Sequence, residues 1–441
     1  MRRSVRGILL LLLTGWIQTA AAQLPRARPE TVGMSSERLR RIPVALRGFV
    51  AQGEVAGALT LVARRGQIVA LDSAGYRDLE SRSPMRSNTI FRIASMTKPV
   101  TSVAVMILVE EGKLRLNDPV SNFIPEFAEV GVSVGGRGPA GKPDSLVPAE
   151  RPMTIRDLLT HRSGLVYGFI DTSEVGDAYR AAVVLDGVGG EAVPTIAENV
   201  RRLAAQPLAF QPGREWRYGL STDVLGRVVE MASGMSLDRF LDQRLFAPLR
   251  MKDTGFRVPD DKLGRLAATY THRNDSLRGM ADTQVFEDGR LPLGRFGGPS
   301  SRGSRTFFSG GAGLFSTIGD YARFAQMLLN GGALDGIRIL GPKTVELMTA
   351  DATTDLKDPV LGTPAWGFGL GFAVVRDLGG GNQLASVGQY GWGGILGTTF
   401  WIDPREQLIG VMMIQEFPQT GGVAETFQNL AYQAITVAGR R

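Results

Sequence analysis

Phe91-Arg92-Ile93-Ala94-Ser95-Met96-Thr97-Lys98-Pro99 runs directly into an apolar segment that ends at Val109. A helix leaves its first four N–H groups unpaired, so Pro99, which has none, fits the first turn of a helix starting near Ser95. Three positions apart on that helix, Ser95 and Lys98 share a face, with Cβ atoms about 5–6 Å apart. A lysine can take a serine proton only where burial or nearby positive charge favours its neutral form. The apolar run 100–109 predicts that burial, and the positive end of the helix dipole opposes a charged lysine and favours an oxyanion beside Ser95. Ser-x-x-Lys alone carries little information, because 24 serines and 7 lysines give about 0.4 such pairs by chance.

Strands are expected on both sides of this helix in the chain. Before it, 58–63 and 67–71 flank Arg64-Arg65-Gly66, the pattern of two strands joined by a tight turn. A helix over 36–52 comes earlier still, with Leu39, Ile42, Leu46, Phe49 and Val50 on one side and a kink expected at Pro43. The middle of the chain reads as helical, over 154–161, 193–205, 222–232 (capped by Ser221 and stopped by Gly234) and 236–246, whereas 117–150 reads as loop. From Gly310 onward, helices at 318–330 and 343–350 precede alternating apolar segments at 366–375, 384–387, 398–402 and 408–414, and a last helix spans 423–437. The fold class is therefore α/β in the α+β sense. An antiparallel sheet drawn from about 34–94 and 306–441 brackets a mainly helical region of about 95–305.

The 441 residues carry 43% hydrophobic and 21% charged side chains, which excludes disorder and fibre. Arg2, Arg3 and Arg6, the apolar run 7–17 and Ala20-Ala21-Ala22 compose a secretory signal with cleavage after Ala22, leaving 23–441 as one domain. The run is about half the roughly 20 residues that span a bilayer, so no stable membrane anchor is expected after cleavage. A periplasmic or secreted protein follows. Its lack of cysteine rules out disulfides and thiol chemistry. The formal charge of +7 includes three leader arginines, and no basic stripe is interleaved with aromatics, so no nucleic-acid partner is expected. No feature of the sequence speaks to oligomeric state.

Gly131-Val132-Ser133-Val134-Gly135 matches the G-x-S-x-G nucleophile elbow, but Gly136-Arg137-Gly138-Pro139 cannot open the helix that elbow requires. Ser133 is therefore set aside. A Ser-His-Asp triad needs a histidine, and the two present are His161, expected at the end of a short helix as a dipole partner or structural donor, and His272, at the start of a polar stretch 272–305. There is no H-E-x-x-H, no cysteine ligand for zinc and no phosphate-cradling loop, so no metal and no cofactor are expected.

Two further motifs lie in order along the chain: Trp216-Arg217-Tyr218 before a helix, and Gly391-Trp392-Gly393-Gly394 before a strand. With Ser95-x-x-Lys98 they resemble the superfamily of class C β-lactamases and family VIII carboxylesterases. So do 158–165, 310–317 and Trp401-Ile402-Asp403-Pro404. The likeness covers about 34–438 and implies a β-lactamase/transpeptidase-like fold. It implies Ser95 as the acylated nucleophile, Lys98 with the Tyr218 phenol as a coupled base, and an oxyanion hole made by the N–H groups of Ser95 and Ile395. Gly393 and Gly394 would let that strand approach a substrate closely. Where the lactamases carry Tyr-x-Asn, this chain has Tyr218-Gly219-Leu220, and Leu220 cannot hydrogen-bond a lactam amide side chain. Trp392 stands where the Lys-Thr-Gly lysine would meet a carboxylate, which favours a neutral acyl group. Both departures resemble the esterases. The partner implied is a small acyl substrate; β-lactam hydrolysis, D-Ala-D-Ala peptidase activity and a sensor that acylates without turnover share the same nucleophile machinery and remain open.

Overall fold

The computed structural model describes residues 23–439 except 138–142, 188–194, 274–275, 281–282, 285–295, 298–302, 357–359 and 420–421. The leader at 1–22 and much of the stretch 272–305, including any closure it makes over the site, lie outside the described residues. Eight strands form the main sheet: β1 Gly57–Arg64, β2 Gln67–Asp78, β3 Ser83–Pro84, β4 Trp366–Phe368, β5 Ala373–Val375, β6 Tyr390–Gly393, β7 Thr399–Asp403 and β8 Leu408–Met413. Their order is β4-β5-β6-β7-β8-β1-β2-β3, all antiparallel. β1 thus pairs with the last strand of the chain, and the two ends close one sheet. Its turn to β2 needs positive φ at both central residues, and Arg65 (52°) and Gly66 (77°) supply them.

Eleven α-helices occur among the described residues: α1 Ser36–Leu39, α2 Arg41–Ala51, α3 Thr97–Glu110, α4 Ile155–Leu159, α5 Glu174–Ala181, α6 Ile196–Ala204, α7 Ser221–Ser233, α8 Leu237–Leu241, α9 Ile318–Leu329, α10 Pro342–Thr349 and α11 Val423–Tyr432. Every residue of β1 is buried because both faces of the sheet are covered. Leu59, Leu61 and Ala63 face the main core with α3, α7 and α9, while Ala58 and Val62 face a second core with α2 and α11. Helix α3 is buried at all of 97–108, since it runs between the sheet side and α7 of the helical region.

Four local expectations are corrected. The N-terminal helix breaks at Arg40 into α1 and α2, because Pro43 lacks an N–H and its ring opposes a continuous turn there. The stretch 366–375 is a hairpin, turned at Gly369-Leu370-Gly371 with Gly371 at φ 97°, and 384–387 forms no strand. The expected loop 117–150 contains paired strands Gly131–Arg137 and Pro143–Pro148. His161 follows α4 in a left-handed conformation (φ 54°), past the helix it was expected to end.

Candidate active site

Ser95 lies in the 3-10 turn Ala94–Met96 that leads into α3. It is the one residue from 91 to 100 that is not buried. Ala94, just before it, has φ 42°, a strained conformation for a residue with a Cβ. The turn is held on three sides: Ile93 N–H donates to Leu314 O (3.0 Å), Tyr321 Oη to Met96 O (2.9 Å), and Leu314 N–H to Thr97 Oγ1 (3.1 Å). The strained turn beside Ser95 is thus over-determined by packed neighbours.

Lys98, 1% exposed, sends its ammonium back along the helix face. Nζ donates to Ser95 Oγ (3.2 Å), to Tyr167 Oη (2.8 Å) and to Gly311 O (2.9 Å). Tyr167 was not singled out from the sequence. It is buried, and burial first, then Tyr218, Asp223 and Asp186, pushes its phenol well above the ordinary 10. Tyr218 also flanks Lys98, with Nζ 4.6 Å from its ring centroid, but its hydroxyl accepts from Trp392 Nε1 (3.3 Å). Lys98 therefore sits between two phenols, and its direct hydrogen bond goes to Tyr167. The signal for Tyr167 was slight: one phenol in Leu165-Val166-Tyr167-Gly168-Phe169, just after Gly164.

The other side of the site is aromatic. Tyr218 packs against Tyr167 (5.2 Å between centroids), Trp392 (5.3 Å) and His161 (5.0 Å), and Phe368 bridges Trp216, Trp392 and His161 at 5.6, 5.3 and 5.4 Å. Trp216, Tyr218 and Trp392 are half-buried, so this wall reaches the surface. His161 is wholly inside it. Burial, then the Lys98 charge, holds its imidazole well below the ordinary 6.5, and its Nδ1 has no hydrogen-bond partner. It is a neutral packing group, and the dipole-partner expectation is withdrawn.

β6 delivers Trp392 and Gly393, then turns through Gly394 and Ile395. A Cβ on Gly394 would lie 2.4 Å from Ile93 O, so only glycine lets this turn abut the segment that carries Ser95. Thr398 Oγ1 also donates to Ile93 O (3.2 Å), and Ile395 is half-buried at that junction. Leu220 is fully buried in the main core at the start of α7 and offers no polar group. Ser133 lies on a strand, donating to Glu174 Oε1 (2.6 Å). His272 pairs with Glu416, whose carboxyl burial pushes up to about 7. Among the described residues no group of His, Asp and Glu is placed to hold a metal ion, and no helix is long and apolar enough to cross a membrane.

The Beta-lactamase family model matches residues 45–434. Esterase EstB of Burkholderia gladioli is 34% identical over 357 residues, 79% of this chain and 82% of that protein. Lovastatin esterase of Penicillium rubens is 31% identical over 412 residues, 86% of this chain and 95% of that protein. Among solved structures, EstCE1, a hydrolase with promiscuous acyltransferase activity, superposes with TM-score 0.77 at 28% identity, covering 90% of this chain and 99% of its own.

Proposed function

The chain belongs to the Beta-lactamase family, as a serine hydrolase of that fold, and from that premise we propose that it cleaves carboxylic esters through an acyl-enzyme on Ser95. The observation that carries the reading is the Lys98 ammonium held between Ser95 Oγ and Tyr167 Oη at the start of a buried helix. In the proposed reaction Lys98 acts as an unprotonated amine: Ser95 Oγ attacks the ester carbonyl while its proton passes to Lys98 Nζ, which the Tyr167 hydroxyl and Gly311 O hold in place. The N–H groups of Ser95 and Ile395 receive the oxyanion. As the tetrahedral species collapses, the C–O bond to the alcohol breaks and the alkoxide takes up a proton. Tyr218, half-buried at the mouth and beside Lys98 Nζ, is placed to relay the proton that Lys98 took from Ser95, which returns Lys98 to its unprotonated form. Water then repeats the attack on the acyl-enzyme and releases the acid.

Preference for a neutral acyl group is supported by the Trp392 indole, which bonds Tyr218 and presents no cation to a carboxylate. The leader composition supports export. The test is parallel steady-state hydrolysis of a short-chain p-nitrophenyl ester and a chromogenic cephalosporin, with Ser95→Ala as control. Ester turnover that is lost in the variant, with little cephalosporin cleavage, is expected. Efficient cephalosporin cleavage would replace this reading with the lactamase one, and a stoichiometric burst without turnover would replace it with a sensor.

A further inference from the structure

Behind Lys98, on the side away from Ser95, lies a polar cluster that the proposed reaction does not use. Asp223 is the third residue of α7, 1% exposed, where the positive end of that helix favours an anion. Its Oδ1 accepts from Ser309 Oγ at 2.6 Å, the length of a hydroxyl bonded to a charged carboxylate. Ser309 is itself fully buried, and its Oγ accepts from Ala312 N–H (3.0 Å), which closes the turn 309–313. That turn presents Gly311 O to Lys98 Nζ and Gly310 O to Thr101 Oγ1 (2.8 Å), both on α3. A Cβ on Gly311 would stand 2.3 Å from Asp223 Oδ2 and 3.1 Å from Tyr167 Oη, so the turn is wedged between the carboxylate and the base pair.

We propose that Asp223 is a positioning residue for acyl transfer, acting through Ser309 and the turn 309–313 to seat the Gly311 carbonyl on Lys98, and through its charge on the Lys98–Tyr167 pair. The inference rests on the Ser95 acyl-enzyme reading. An ammonium with three donors and a flexible stem points nowhere by itself. Tyr167 Oη and Gly311 O take two of those directions and leave the third to Ser95 Oγ. Gly311 O lies on a turn whose position Asp223 sets through Ser309. The charged and titratable groups facing this cluster are Lys98 from α3, Tyr167 and Tyr218 from the flanking loops, and Asp186, whose Oδ1 accepts from Gly168 N–H (3.2 Å) and whose charge Arg180 offsets. Burial raises the carboxyls of both Asp223 and Asp186, and each carboxylate in turn holds the proton on Tyr167 more tightly.

The test is the rate at which a fluorophosphonate probe labels Ser95 between pH 5 and 10, which reads activation of the nucleophile without reference to any natural substrate. Asp223→Asn keeps an oxygen for Ser309 but removes the charge, so the alkaline rise in labelling should move to lower pH by about one unit. Ser309→Ala keeps the charge but releases the turn, so the rise should stay in place while the plateau rate falls about tenfold. A wild-type plateau in Ser309→Ala overturns the positioning role, and an unmoved rise in Asp223→Asn overturns the charge role. Absence of Ser95 labelling in the wild-type protein is a separate result: it removes the serine-hydrolase reading and this inference with it. Thermal melts of both variants accompany the kinetics. If Asp223→Asn does not fold, Ser309→Ala still decides the positional claim.

Discussion

The two walls of the site are built by opposite means. The polar wall, Ser95, Lys98, Tyr167 and Gly311, is a chain of short hydrogen bonds anchored on one buried helix. The aromatic wall, His161, Trp216, Tyr218, Phe368 and Trp392, is assembled from four distant segments and leaves His161 Nδ1 and Trp216 Nε1 without partners. A direction-sensitive proton transfer needs the first kind of construction, because the donor must point at one atom. Holding an apolar acyl group needs only shape and dryness, which packing supplies. The two walls meet at Tyr218, which packs on the rings of one and lies over the ammonium of the other. Damage to the polar wall should therefore fall on kcat, and damage to the aromatic wall on KM.

The sharpest way to break that division is Lys98→Ala, which should lower kcat/KM for a p-nitrophenyl ester by about 10³–10⁴-fold with KM little changed. Tyr167→Phe comes next, at about 10²-fold in kcat. Tyr218→Phe should cost less if the Lys98–Tyr167 bond carries the proton. A larger loss in Tyr218→Phe than in Tyr167→Phe would return the base to Tyr218 and dissolve the distinction between the walls. Trp392→Ala should raise KM by about tenfold and leave kcat within a few-fold.

The smallest effect concerns pH. His161 is buried neutral, so its folded pKa lies well below the 6.5 of an exposed imidazole. Below pH 6.5 the unfolded chain binds the extra proton, so stability should fall as pH drops from about 7 towards 5, by up to roughly 1.4 kcal/mol per unit. Urea midpoints for wild type and His161→Gln should run parallel above about pH 7 and change their separation below pH 6.5, where wild type loses stability faster as pH falls. Curves parallel throughout would show that His161 is not held neutral.

The same contrast explains what could be read from the sequence. Ser95 and Lys98 are legible because their three-residue spacing at a helix start brings them together and two further motifs follow in order, and the sheet is legible because apolar alternation recurs at both ends of the chain. Tyr167 is 69 positions from the lysine it bonds, in an apolar run with no periodic signal, so nothing local marks it. Asp223 is hidden likewise, as an acidic residue in the first turn of an amphipathic helix, where it reads as an ordinary dipole partner. Tyr218, Trp392 and the Gly393-Gly394 turn were found through family resemblance, since an aromatic beside a helix or strand is ordinarily core. The hairpin at 131–148 was missed because its glycines interrupt the alternation that marks a strand.

The most direct test of the central claim is mass spectrometry of protein quenched within milliseconds of mixing with a p-nitrophenyl ester, followed by peptide mapping. An acyl adduct on the peptide containing Ser95, absent from Ser95→Ala and depleted in Lys98→Ala, is the predicted result. An adduct on the peptide containing Ser133, or turnover with no adduct on any serine, would contradict it.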